Sequence, residues 1–79
     1  MIDHAIPVHQ LLPGQSAVVC GIAGDPQRTH RLEELGLLCG TQVEMFRPGN
    51  PCILRVGGGK FCLRCDGDLQ ILVEPIGLS

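Results

Sequence analysis

At 79 residues the chain has room for one compact unit, because domains typically take ~100–200 residues, and a two-domain enzyme is excluded. Hydrophobic residues make up 44% and charged residues 18%, too apolar for a disordered segment, and with no Trp or Tyr the core falls to Leu, Val, Ile and Cys. A net charge of −2 and only two Phe argue against nucleic acid, which needs clustered cations for its phosphates and rings for stacking its bases.

The first predicted element is a helical turn over Pro7–Leu12, with Val8 and Leu11 on one side, stopped by Pro13 and Gly14. Ser16–Ala23 is small and β-branched, which predicts a strand closed by Gly24. Asp25 is an N-cap and Pro26 suits the first helical position, so a helix begins there. Leu32 and Leu35 then share its buried face, while Arg28, His30, Arg31, Glu33 and Glu34 face water and Gly36 ends it as a left-handed cap. Thr41–Arg47 alternates with period two, placing Val43 and Met45 together on a second strand. The turn formers Pro48-Gly49-Asn50-Pro51 lead to a third strand, Cys52–Val56. Gly57-Gly58-Gly59 returns the chain as a hairpin into a fourth, Lys60–Arg64. Asp66-Gly67-Asp68 turns into a fifth, Leu69–Glu74, ended by Pro75 and Gly77. Five short strands with one inserted α-helix bury their apolar faces most economically as a small closed barrel spanning residues 1–79 as a single domain.

Several features invite a chemical role. Cys62-Leu63-Arg64-Cys65 has the C-x-x-C spacing of zinc knuckles and thiol oxidoreductases, but positions three apart on a strand point to opposite faces unless a turn intervenes. No second C-x-x-C supplies further ligands, and buried thiols serve as small hydrophobes. His4, His9 and His30 are scattered and read as surface histidines. Gly57-Gly58-Gly59-Lys60 lacks both the leading Gly and the following Ser or Thr of a phosphate loop. No Cys or Ser has a base and an orienting group at a plausible spacing, so catalysis is not expected, and no cofactor or metal site is assigned. The carboxylates Glu33, Glu34, Asp66 and Asp68 are accounted for by solvation and capping. Five Cys in a chain that begins without a basic, apolar leader point to a reducing cytoplasmic setting. The longest apolar stretch, Ala17–Gly24, is far short of the ~20 residues that cross a bilayer, so direct membrane insertion is not expected.

The ordered motifs resemble the FeoA family of bacterial ferrous iron uptake. Leu11-Leu12-Pro13-Gly14-Gln15 leads to Val19, and Arg31-Leu32-Glu33-Glu34-Leu35-Gly36-Leu37 with Gly40 resembles that family's R-L-x-x-L-G-L-x-x-G signature. Pro48-x-x-Pro51 before Ile53-Leu54-Arg55-Val56, and Leu63-Arg64 before Ile71-x-Val73-Glu74, resemble its later strands in the same order. The resemblance implies an SH3-like barrel, and a non-catalytic adaptor that docks on the cytosolic part of the FeoB-type membrane iron permease and modulates it. Within the matching segment, Arg31, Leu37 and Leu38 are the expected partner-binding residues. Self-association stays open. The alternative is a metal-binding carrier or redox-sensing module built on Cys62 and Cys65, the carrier with Cys39 or Cys52 as further ligands.

Overall fold

The computed structural model describes residues 5–76, so the readings of His4 and Gly77 fall outside the described residues. In chain order the elements are β1 (Ile6–Pro7), a 3₁₀ turn (Val8–Gln10), β2 (Ser16–Gly24), α1 (Pro26–Glu34), β3 (Gln42–Arg47), β4 (Cys52–Val56), β5 (Gly59–Leu63) and β6 (Leu69–Pro75). All six strands pair antiparallel in one sheet of order β1-β6-β2-β3-β4-β5. The protein is therefore mainly β, as expected, with six strands rather than five. The added strand, β1, sets Ile6 opposite Val73 and Pro7 opposite Leu72. Two residues are too few to show an alternation, and Pro7 lacks the N–H of a central strand, which confines it to an edge.

The expected closure is absent among the described residues, because β1 and β5 end the sheet and no ladder joins them. The reason lies in the connections. β1 is only two residues long, and after β5 the chain turns through residues 64–68 into β6, whose partners are β1 and β2. One core nevertheless receives side chains from five strands. Val43 and Met45, Cys52 and Leu54, and Leu69, Ile71 and Val73 alternate inward from β3, β4 and β6. Ala17 and Val19 of β2, Leu63 of β5 and Leu32 of α1 join them, and Val8 and Leu11 around the 3₁₀ turn complete the cluster. Each such aliphatic side chain contributes about 1.5–3 kcal/mol when removed from water.

Two bulges interrupt the alternation. In β2 the register slips between Val19 and Gly21, so Val19 meets Val73 while Ile22 meets Ile71. In β3 it slips between Met45 and Arg47. An extra residue resets which side faces the core and bends the strand. Phe46, following inward Met45, is exposed on the outer surface, with the Lys60 ammonium 4.1 Å and the Arg55 guanidinium 5.3 Å from its ring centre. The β4–β5 hairpin pairs Val56 with Gly59 across a two-residue turn in which Gly57 has a positive φ of 59°.

Gly24 ends β2 with φ +142° and a backbone packed against residues 68–69. A Cβ there would collide with the Asp68 carbonyl oxygen and come within 2.8 Å of the Leu69 Cα. Gly24→Ala is expected to destabilise the fold by about 2–4 kcal/mol, from strain plus overlap with backbone that cannot step aside. Gly67→Ala, where nothing lies within 4 Å, should change stability by less than ~0.5 kcal/mol in the same denaturant titration.

Candidate functional site

The helix that frames the site has little apolar surface of its own, since Leu32 is its one buried residue. It is held at its ends instead. At the start, the Asp25 carboxylate accepts from the Arg28 N–H at 3.1 Å and Pro26 occupies the first turn, as the sequence predicts. The Arg28 guanidinium then reaches across to the β5–β6 turn, donating to the Arg64 carbonyl at 2.9 Å and the Asp66 carboxylate at 3.2 Å. Asp66 is held below the ordinary carboxyl range, first by the Asp68 N–H that donates to it and then by Arg28. At the far end, Gly36 takes φ +101° and donates to the Glu33 carbonyl at 3.0 Å, while the Leu37 N–H reaches the Leu32 carbonyl at 2.9 Å. This is a Schellman cap, and its signature is an apolar contact between the residue after the glycine and the helix's last inward turn.

That cap redistributes the leucines. Leu37 is fully buried and joins Leu32 in the core, so this expected partner-binding residue has no surface to offer. Leu35, expected on the buried face with Leu32, stands at the helix end with 59% of its surface exposed. The helical period ends at Glu34, and the left-handed turn at Gly36 carries the next inward position to 37. Leu38 is exposed, and Thr41 holds it there: the Thr41 hydroxyl accepts from the Leu38 N–H at 3.1 Å and donates to the Gly36 carbonyl at 3.3 Å.

Between α1 and β5 runs an open groove of about 570 Å³. Its apolar surface comes from Leu32, Leu35, Phe61, Leu63 and Leu69, and its polar surface from Arg28, Arg31, Lys60, Cys62 and Arg64. Residues 60–64 line it consecutively although neighbours on a strand face opposite ways, so the groove follows the free edge of β5. Four of the chain's six Lys and Arg residues line it, the Lys60 ammonium reaching over Phe46 on the outer surface, and no carboxylate is among the lining residues. Among the described residues, Arg28 is the member of this quartet in an ion pair. An acidic chain thus carries a cationic strip with an apolar floor and, among the described residues, an unpaired strand edge beside it.

Of the expected site residues, Arg31 lines this groove, Leu38 is exposed beyond the cap, and Leu37 is internal. Arg28, Leu35, Lys60 and Arg64 were not among the expected contacts; the clustering of most cations in residues 28–31 and 60–64 is the sequence signal that marks them. The C-x-x-C thiols are not brought together as a pair. Cys62 is exposed on β5, whereas Cys65 packs against the core beside Cys52. Among the described residues, no group of three or more His, Cys, Asp or Glu is arranged to hold a metal ion, and no helix is long and apolar enough to cross a membrane.

Comparison with known proteins adds the family. The family model for the FeoA domain matches residues 6–75. A crystal structure of an iron uptake regulatory protein (FeoA) superposes with a TM-score of 0.76 at 24% identity, covering 91% of this chain and 99% of that one. A solution NMR structure of an FeoA protein from Chlorobium tepidum superposes with a TM-score of 0.82 at 27% identity, covering 91% of this chain and 71% of the other. No curated protein matches the chain.

The sorting of leucines by the cap gives a direct expectation for stability. Leu37→Ala should cost about 2–5 kcal/mol, the range for emptying a packed leucine site. Leu38→Ala and Arg31→Ala, both at exposed positions, should stay within ~0.5 kcal/mol of the parent in urea unfolding.

Proposed function

The chain belongs to the FeoA domain family, and from the role in ferrous iron transport that membership implies we propose that it is a non-catalytic cytoplasmic accessory protein that docks on the cytosolic part of a FeoB-type iron permease and modulates it. The observation that carries this reading is the α1–β5 groove. Its cations, its apolar floor and the free edge of β5 together suit an extended acidic segment that carries an apolar anchor. Such a segment would add a strand beside β5, place carboxylates against Arg31 and Arg64, and seat its anchor on Leu35, Phe61 and Leu63. Leu38 extends the apolar contact past the helix cap.

This mode differs from proline-rich recognition. Docking of polyproline needs a groove lined with aromatic rings, and Phe61 is the one aromatic residue on this groove. The cations would speed encounter and select against positively charged partners, while the desolvated apolar floor supplies the adhesion.

Pull-down and titration of the permease's cytosolic part test the reading. Leu38→Asp and a paired Arg31→Glu, Arg64→Glu variant are each expected to weaken binding by about tenfold or more, which corresponds to ~1.4 kcal/mol. The charge variant's deficit should shrink as salt rises, since exposed charges are screened. Parental affinity in a folded Leu38→Asp protein removes Leu38 from the site, and parental affinity in the charge variant removes the groove.

A further inference from the structure

Cys52 opens β4 and lies opposite Leu63 in the β4–β5 ladder. Cys65 lies two residues past the end of β5 and packs against the same core that holds Cys52. Cys52 is buried, and Cys65 is half-buried. Together with His9 they line a cavity of about 370 Å³, and Cys65 also borders a second of about 220 Å³. One sulfur is thus reachable from outside and the other lies sheltered behind it.

We propose that Cys52 and Cys65 form a reversible intramolecular disulfide by exchange with a low-molecular-weight disulfide of the glutathione type, with Cys65 attacking and Cys52 resolving. The Cys65 thiol first gives its proton to solvent. Its thiolate attacks one sulfur of the small disulfide, forming a mixed disulfide and expelling one small thiolate, which takes up a proton. The Cys52 sulfur then attacks the Cys65 sulfur of the mixed disulfide. Its own proton leaves with the second small thiol, and the Cys52–Cys65 bond closes. The protein's two thiols lose two electrons and the small disulfide gains them.

The surroundings divide the roles in the same sense. The Cys65 thiol is lowered to about 7, chiefly by the neighbouring Cys52 thiol and then by the Arg28 cation, against the opposing effects of burial and Asp66. The Cys52 thiol is pushed up, by the neighbouring Cys65 and by burial. The other titratable side chain on the shared cavity is His9. Cys62, the sequence neighbour in the C-x-x-C spacing, is exposed on β5 and faces the groove instead. The proposal is independent of the docking reading, since it concerns thiols on the inward side of the hairpin.

The test treats the folded, reduced protein with oxidised glutathione and reads intact mass and the disulfide map. The expected product has lost two hydrogens and carries a Cys52–Cys65 link, and a Cys62→Ser variant forms the same link. Cys52→Ala should stop at a glutathione adduct on Cys65. If that variant does not fold, the Cys62→Ser result and the alkylation profile of the parent decide. Alkylation of Cys65 is expected to be half-maximal near pH 7. A Cys62–Cys65 link, a stable glutathione adduct on Cys65 in the parent, or no oxidation of either thiol overturns the proposal.

Discussion

The constraint on which the rest depends is how a nearly coreless helix is fixed to a sheet. With Leu32 as its one buried residue, α1 cannot be placed by hydrophobic packing alone. Its direction is set by two polar devices: the Arg28 fork on the β5–β6 turn, and the left-handed step at Gly36 that drops Leu37 into the core. The first brings Arg31 and Leu35 alongside β5. The second turns one leucine in and leaves its neighbours out. The groove exists because the helix is pinned at both ends and left unpacked between them.

The signature that marks the family reads, in this light, as the recipe for that arrangement. In Arg31-Leu32-x-x-Leu35-Gly36-Leu37-x-x-Gly40, Leu32 and Leu37 are the two ends of one apolar contact, and Gly36 and Gly40 are positions of positive φ. Arg31 and Leu35 belong to the surface the cap presents. The spacing is that of a helix terminus, and the residues divide between those that build the cap and those the cap displays.

Much of the fold was legible from punctuation. Gly24, Asp25-Pro26, Gly36, Pro48–Pro51 and Gly57–Gly59 bound the elements where turn chemistry says they should, and the structure follows within a residue or two. What was hidden has physical causes. β1 is too short to carry a pattern, and a bulge is a one-residue shift that leaves no trace in composition. Extending the helical period through Leu35 exchanged the fates of Leu35 and Leu37, because periodicity contains no information about where a left-handed residue breaks it. The divergence of Cys62 and Cys65 was legible from strand alternation, but the nearness of Cys65 to Cys52 was not. Spacing along the chain drew attention to Cys62 and Cys65, whereas the hairpin sets Cys52 opposite Leu63, two positions before Cys65. The groove itself combines residues 28–35 with residues 60–69, far apart in the chain, and only the bias of its cations toward those segments hinted at it.

The open end of the sheet has a further consequence. A bare strand edge ordinarily invites its own twin, and chains that leave one uncovered risk growing into fibres. Here the edge is flanked by Lys60 and Arg64, with Arg31 across the groove. Two molecules approaching edge to edge would press like charges together before any ladder could form, whereas an oppositely charged stranger meets no such barrier. The same side chains that suit the proposed acidic partner would thus also oppose edge-to-edge approach by a second copy.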